Sequence, residues 1–173
     1  MNANFQGYSG VLSLMGFKNS GPCIPGVQWG DVAGSLNAAI GILLALYHRD
    51  KTGKGQYIDI SITDSLTAMI PIPAGCYWRD GKAPERGDYL LSHRYAWYNV
   101  YQTKDGKFVT LGALEPRFWK IVCDYFGVSQ YIPLQYDEEK REEIIGFFQR
   151  AFAEKTVMSG WKFSKIKTRV WAV

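Results

Sequence analysis

The sequence has few of the residues that bind metals or form disulfides: of 173 residues, two are histidines and three are cysteines. Cys23, Cys76 and Cys123 are odd in number, far apart and without C-x-x-C spacing, so neither a disulfide framework nor a zinc site is predicted. His48 and His93 lie far apart without an accompanying acidic cluster, so we expect no metal site. Free thiols are typical of a reducing compartment, and we expect a cytoplasmic protein.

The sequence also lacks a basic leader and a long apolar run. Its first basic residue is Lys18, which does not fit the charged start of a signal peptide. The longest apolar run, residues 32–47, contains Gly34, Ser35 and Asn37 and is shorter than the roughly 20 residues of a membrane-spanning helix. We therefore expect a soluble protein without a membrane partner.

The formal net charge of +4 suggests an anionic partner, but the excess lies at one end of the chain. Residues 157–173 hold four basic residues and no acidic ones, and the remaining residues have 16 of each sign. A binding module whose basic, tryptophan-containing tail contacts nucleic acid stays an alternative. Because the rest of the chain is neutral, we do not expect a nucleic-acid partner.

Helical and strand patterns follow a linker-like start. Residues 1–29 are rich in Gly, Ser, Asn and Pro and predict a linker with a short helix or turn. From Asp31 to about Arg49, apolar residues recur at helical spacing with Ala and Gly between them, which predicts a helix buried on most sides. Gly53 predicts its end. Residues 56–62 alternate polar and apolar side chains, which predicts a half-buried strand.

The remaining residues predict further helices and one hairpin. The predicted elements are a helix from near Thr63 that Pro71 and Pro73 interrupt, a hairpin with strands 96–102 and 107–111, a helix from Pro116, and a helix from Asp137 to about Glu154. This order indicates an α/β or α+β chain.

Gly53-Lys54-Gly55 looks like part of a phosphate-binding loop. A P-loop needs a glycine where this chain has His48, and it follows a strand, whereas this segment follows a predicted helix. We interpret these residues as a helix stop and a turn.

Two carboxylates, Asp31 and Glu115, stand out because each lies at a predicted helix start. A side chain there is normally a cap, and the residues alone favour capping over catalysis for both. Catalysis stays open at this point.

Several segments together resemble the family III CoA-transferases of the CaiB/BaiF type, a superfamily that includes the alpha-methylacyl-CoA racemases. The similar segments are Trp-Gly-Asp-Val-Ala-Gly at 29–34, Ala-Ile-Gly-Ile-Leu at 39–43, Ala45, Leu46 and Arg49, Thr-Gly-Lys-Gly-Gln-Tyr-Ile-Asp-Ile-Ser at 52–61, Tyr-Ser-Gly-Val-Leu-Ser at 8–13, and Gly-Ala-Leu-Glu-Pro-Arg-Phe at 112–118. The last looks most like the racemase branch. The resemblance covers about residues 3–156.

The resemblance implies an α/β fragment of α+β character. Residues 1–30 would be a linker segment, residues 31–156 the linking helix and small α/β domain, and residues 157–173 an atypical basic tail. The nucleotide-fold domain that relatives carry upstream is missing from this sequence. Relatives form interlocked homodimers, so one copy alone is expected to expose large apolar surfaces.

The resemblance also implies that Asp31 is the reacting carboxylate on an acyl-CoA thioester, with no permanently bound cofactor. In transferases this aspartate attacks the thioester carbonyl. In racemases it is one of two acid/base groups, and the other is a histidine that the glutamate matching Glu115 assists. In racemases this histidine is followed by an aspartate, and the two positions are Met1 and Asn2 here. The histidine is therefore absent from this chain.

We expect 2-methylacyl-CoA racemase-like α-proton transfer in an intact enzyme, with CoA transfer between carboxylic acids or an inactive fragment as alternatives. The chain alone is expected to have weak or no activity. A glycine-containing loop of relatives aligns near residues 92–95, where this chain has none. His93 as a replacement acid/base stays open, although a merely polar loop histidine is favoured.

Overall fold

The computed structural model describes residues 1–157 and 171–172 of the chain. These residues form two compact units, Met1–Gly87 and Asp88–Val173, called here the N-terminal and C-terminal units. The division into residues 1–30, 31–156 and 157–173 stays a prediction, since the compact units divide at Gly87. Most of the predicted basic tail, residues 158–170, lies outside the described residues.

The N-terminal unit is helical, and its longest helix ends where the sequence predicts. Its helices are α1 (Asn2–Tyr8), α2 (Val11–Leu14), α3 (Trp29–Thr52), α4 (Ile62–Thr67) and α5 (Pro71–Asp80). Gly53 ends α3 with a left-handed φ of 73°, and its N–H donates to the carbonyl of Arg49 at 2.7 Å. The helix stop is confirmed.

The predicted strand at residues 56–62 is wrong. Among the described residues these form no strand pair, and the chain instead runs alongside α3. A Cβ added to Gly41 of α3 would lie 3.1 Å from Ile58 Cγ2 and 3.3 Å from Ile60 Cδ1. The alternating pattern therefore directs every second side chain towards a helix instead of a sheet, because either surface buries one face of an extended chain.

The prediction that α3 is buried on most sides is also wrong. Leu43 and Tyr47 are 65% and 66% exposed. The other large apolar side chains exposed on this helix are Trp29, Val32, Leu36, Ile40, Ile42, Leu44 and Leu46. In the single chain, the segment that follows α3 covers only the side of the helix that carries its glycines. The rest of the helix exposes an extensive apolar surface, as the resemblance implies for one copy.

Helix α3 satisfies the length and composition criteria for a membrane span. It has 24 residues, and its most apolar window has a mean hydropathy of 1.4 with 17% of that window buried. Residues 32–47 alone are too short, but the helix continues beyond them at both ends. The length argument from the sequence therefore does not exclude a membrane, and a protein without a membrane partner stays a prediction.

The C-terminal unit combines a small antiparallel sheet with helices. The elements are β1 (Tyr98–Gln102), β2 (Phe108–Gly112), α6 (Pro116–Phe126), a 3-10 helix (Ser129–Leu134), α7 (Arg141–Ala153) and β3 (Trp171–Ala172). The sheet order is β1-β2-β3, and Val100 faces Thr110 in the hairpin. The α+β class and the hairpin are confirmed. Helix α7 begins later than Asp137, because that side chain accepts from the N–H groups of Glu139 and Lys140 in a preceding turn.

Large aromatic side chains form the core of the C-terminal unit. Trp97, Trp119 and Phe148 are 0–1% exposed. Both indoles are satisfied: Trp97 donates to the carbonyl of Gln135 at 2.8 Å, and Trp119 donates to that of Tyr131 at 3.0 Å. These bonds join α6 and the residue before β1 to the segment before α7.

We expect Cys123 to resist alkylation in the folded protein. Its side chain is fully buried in α6, and burial, with the charge of Asp124, raises the pKa of its thiol to about 12. Alkylation needs the thiolate, so at neutral pH iodoacetamide should label exposed Cys23 and spare Cys123 until urea is added. Peptide mass spectrometry measures this, and equal labelling rates for the two thiols would contradict it.

A network of charges surrounds Asp88 at the start of the C-terminal unit. The Asp88 side chain is 7% exposed, and its Oδ1 is 2.6 Å from Arg141 Nη1 and 3.1 Å from Arg94 Nη1. Arg94 also pairs with Glu138, since Arg94 Nη2 lies 2.9 Å from Glu138 Oε2. The Tyr95 hydroxyl donates to Glu138 Oε1 at 2.6 Å. The network ties the loop before β1 to the start of α7.

Glu138 gives this network a dependence on pH. Burial raises the pKa of Glu138, but hydrogen bonds from Tyr95 and Arg94 and the charges of Arg94 and Arg141 outweigh it and hold the pKa below its ordinary value. A depressed pKa contributes stability above the unfolded-state pKa, and this is lost as pH falls through the folded-state pKa. Glu138→Gln should therefore lower the urea midpoint at pH 7 and change it little at pH 3. Exposed Glu139→Gln is the control, and an equal effect of Glu138→Gln at both pH values would contradict the expectation.

Candidate active site

Asp31 lies in the first turn of α3, two residues inside the helix. The preceding residue, Gly30, lies where the helix backbone comes close to neighbouring side chains. A Cβ at this position would lie 3.1 Å from Ile62 Cγ2 and 3.3 Å from Asn2 Oδ1. The Asp31 side chain is exposed, and within residues 1–157 it makes no hydrogen bond or ion pair. The N-cap is Gln28, so the capping interpretation of Asp31 is wrong and its carboxylate oxygens are available for chemistry.

The helix start places Asp31 in a favourable electrostatic position. Aligned peptide dipoles at a helix N-terminus stabilise a negative charge in the first turn. Over the described part of the chain, the backbone N–H groups of Gly30 and Asp31 have no acceptor, whereas that of Val32 donates to the carbonyl of Gln28 at 3.1 Å. Two unpaired donors beside a carboxylate suit a reaction in which negative charge develops on an oxygen.

Glu115 is the N-cap of α6, at the end of β2. Its backbone carbonyl accepts from the N–H groups of Phe118 and Trp119, but its exposed side chain makes no capping bond. The capping position is confirmed and the side-chain cap is not. Asp31 belongs to the N-terminal unit and Glu115 to the C-terminal unit.

The resemblance matches the racemase histidine to the start of this chain, where α1 begins. Met1 is 97% exposed, and Asn2 begins the helix. Gln6, which is 2% exposed, donates from Nε2 to Asn2 Oδ1 at 2.6 Å, leaving Asn2 Nδ2 and Gln6 Oε1 without partners in the described part of the chain. Gln6 is not among the candidate residues predicted from the sequence, although its i,i+4 spacing from Asn2 places both amides on one helix face.

His93 lies in the loop before β1. Its Nδ1 is 2.9 Å from Asn99 Oδ1, and Asn99 Nδ2 donates to the carbonyl of His93 at 3.1 Å. Asn99 is not predicted from the sequence as a partner of His93, because the two residues are six positions apart and lie in a loop and a strand. His48 is exposed near the end of α3.

The side chains near Asp31 were also compared with possible metal-binding groups and with the groove beside α3. Residues 1–157 and 171–172 contain no group of three or more metal-binding side chains. A shallow groove of about 360 Å³ beside α3 is lined by Asp59 and Asp64 among others and does not include Asp31. The candidate residues are therefore two exposed carboxylates, Asp31 in the N-terminal unit and Glu115 in the C-terminal unit, each at a helix start and each able to act as a base or nucleophile.

Comparison with known proteins agrees with the resemblance. The family model of CoA-transferase family III matches residues 1–162, and so extends past residue 156, where the resemblance was expected to end. Human alpha-methylacyl-CoA racemase is 36% identical over 160 residues, covering 88% of this chain and 41% of that protein. Acetyl-CoA:oxalate CoA-transferase of Acetobacter aceti is 32% identical over 129 residues, covering 72% of this chain and 32% of that protein.

A solved structure shares the fold. A CaiB/BaiF family protein from Brucella suis superposes with a TM-score of 0.75 at 20% identity, covering 99% of this chain and 47% of that protein. The chain thus spans less than half the length of the relatives it matches. The family match over residues 1–162 and the identity with the racemase show that this chain belongs to CoA-transferase family III.

Proposed function

We propose that the protein carrying this chain acts on acyl-CoA thioesters by racemase-like transfer of the α-proton of a 2-methylacyl-CoA, with Asp31 as the reacting carboxylate. The observation that carries the proposal is the exposed Asp31 side chain in the first turn of α3, which has no hydrogen bond or ion pair within residues 1–157. The similarity to human alpha-methylacyl-CoA racemase supports this reaction in particular.

The proposed step is a proton abstraction next to a carbonyl. The Asp31 carboxylate takes the α-proton, the C–H electron pair moves towards the thioester, and negative charge develops on the thioester oxygen. The backbone N–H groups of Gly30 and Asp31 are suitable donors to such an oxygen. Return of a proton to the α-carbon completes the reaction, and Glu115 is proposed to assist the second acid/base group.

We expect the chain alone to convert the acyl-CoA substrate slowly or not at all. It spans 41% of the human racemase, and Met1 stands where the resemblance implies a catalytic histidine. We also propose that the protein works as a cytoplasmic homodimer, in which a second copy covers the exposed side chains of α3.

CoA transfer between carboxylic acids is the second candidate. Relatives with this activity in their names include acetyl-CoA:oxalate CoA-transferase, and an exposed carboxylate suits nucleophilic attack as well as proton abstraction. Asp31 would attack the thioester carbonyl, displace CoA as the thiolate and form a mixed anhydride.

One assay separates the two reactions. The chain is incubated with 2-methylacyl-CoA in D2O, alone and with the part of human alpha-methylacyl-CoA racemase that precedes the matched segment, supplied as a separate chain. Deuterium at the α-carbon, measured by NMR, is expected in the reconstituted preparation, with little or none for the chain alone. A hydroxylamine-sensitive adduct at Asp31 without deuterium would favour CoA transfer, and the absence of both in both preparations would overturn the proposal.

A further inference from the structure

The peptide groups on either side of Glu115 are each held by two hydrogen bonds. The carbonyl of Leu114 belongs to the peptide group before Glu115. It accepts from Gln135 Nε2 at 2.8 Å and from the Tyr136 hydroxyl at 3.3 Å. The carbonyl of Glu115 accepts from two N–H groups at the start of α6, at 2.9 and 3.1 Å. Because peptide groups are planar, holding both planes also fixes the direction of the Cα–Cβ bond of Glu115.

Gln135 is the buried donor of this set. The residue is 7% exposed, and its Nε2 also lies 3.4 Å from the carbonyl of Ala113. Two carbonyl oxygens therefore face the same end of the side-chain amide. This end must be the NH2 group, because the amide oxygen cannot donate. The amide of Gln135 thus has one orientation, in which it binds the two residues directly before Glu115.

A ring of hydrogen bonds holds Gln135 in turn. The N–H of Ala113 donates to the carbonyl of Trp97 at 2.7 Å, and the Trp97 indole donates to the carbonyl of Gln135 at 2.8 Å. The bond from Gln135 to Leu114 closes the ring. Trp97 and Ala113 are fully buried, where hydrogen bonds are stronger than in water. The ring joins the residue before β1, the residues after β2 and the segment before α7, all within the C-terminal unit.

We propose that Gln135 is a positioning residue for the Glu115 carboxylate. It sets the peptide plane before Glu115 through the Leu114 carbonyl, which leaves only the side-chain torsions of Glu115 to vary. The proposal rests on the proposed function, in which Glu115 assists the second acid/base group. Tyr136 contributes less, because its side chain is 48% exposed and its hydroxyl is farther from the Leu114 carbonyl.

A role of Gln135 in stability alone predicts a different outcome. Loss of the amide would then lower the free energy of unfolding, leave the backbone of Glu115 in place, and reduce activity whether or not the Glu115 carboxylate is present. A positioning residue acts through Glu115. Its loss must therefore change the Glu115 backbone and cost no further activity once the carboxylate has been removed, as expected for two residues that act as one unit.

The first test is NMR on the full chain labelled with ¹³C and ¹⁵N. Gln135→Met keeps the length of the side chain, removes the donor and retains the carbonyl that accepts from Trp97. It should shift the ¹³Cα signal of Glu115, which depends on the backbone torsions, and Tyr136→Phe should shift it less. Gln130→Met, at an exposed glutamine of the 3-10 helix, is the matched control and should leave it in place.

Tyr136→Phe keeps this test decisive if Gln135→Met fails to fold, because the Tyr136 side chain is exposed and only its hydroxyl is removed. A Glu115 ¹³Cα signal that moves in no folded variant of Gln135 or Tyr136 overturns the proposal. Urea unfolding of each variant measures the loss of stability separately.

The exchange assay in D2O separates this proposal from the proposed function. In the reconstituted preparation, Gln135→Met should lower kcat for α-deuterium incorporation about 10- to 100-fold with little change in KM, because a displacement of about 1 Å can cost about 100-fold. In a Glu115→Gln background it should lower kcat no further. An equal loss in both backgrounds overturns the role of Gln135 and leaves the proposed function standing. Exchange absent from the unmodified chain in both preparations overturns the two together.

Discussion

Replacing Asp31 by asparagine is expected to lower α-deuterium incorporation about 1,000-fold or more in the reconstituted assay. The amide matches the carboxylate in size but cannot accept a proton, so it removes a general base that contributes about 100- to 10,000-fold. It also removes the charge that the start of α3 stabilises. Because Asp31 is exposed and makes no bond to residues 1–157, folding should change little. NMR measures the exchange, and urea unfolding measures stability.

Asp59→Asn is the matched control for Asp31→Asn. Asp59 is an exposed carboxylate in the same unit, but it follows α3 instead of opening it. Its replacement removes the same charge, so a general electrostatic effect on CoA binding would appear in both variants. An Asp31→Asn variant as active as Asp59→Asn would exclude Asp31 as the reacting carboxylate.

Replacing Asp88 by alanine is expected to lower the free energy of unfolding by about 1.5–3 kcal/mol, the usual contribution of a hydrogen bond to a charged group. The Asp88 side chain is 7% exposed, and the Arg141 side chain that it contacts at 2.6 Å is 16% exposed. The change leaves a half-buried guanidinium without this acceptor, and Arg94 loses its contact at 3.1 Å. Both guanidinium groups keep Glu138 as a partner, at 2.9 Å from Arg94 and 3.6 Å from Arg141, which limits the loss. Urea denaturation followed by tryptophan fluorescence measures the loss.

Asp124→Ala is the control for Asp88→Ala. Asp124 also pairs with a cation, Lys120 Nζ at 2.6 Å, but both side chains are exposed on α6. An exposed i,i+4 pair contributes about 0.3–0.5 kcal/mol, so this change should be nearly neutral. Equal destabilisation by the two substitutions would show that burial does not control the strength of the Asp88 network.

Local signals predicted several elements because the residues that determine them are adjacent in the chain. Gly53 ends α3, the turn at residues 103–106 joins β1 to β2, and Pro116 opens α6. The strand at residues 56–62 failed for a physical reason. Period-two alternation reports that one face of an extended chain is covered, and here Ile58 and Ile60 are covered by α3.

The two candidate carboxylates could be named from the sequence, but the contacts of their side chains could not. The run around Asp31 and the segment with Glu115 indicated both carboxylates through their resemblance to a family. Whether each side chain caps a helix depends on where the helix begins, and this varies by one or two residues with tertiary packing. The start of α3 at Trp29 placed Asp31 inside the first turn, with its carboxylate exposed.

The sequence by itself determined the family, the α+β character and the choice of candidate carboxylates, since these depend on residue types and on spacing along the chain. The tertiary structure decided which of those side chains are unpaired, and it revealed the His93–Asn99 pair and the charge network around Asp88. The reason is that hydrogen bonds and burial depend on atoms brought together by folding, and their distances are not written in the separation of residues along the chain.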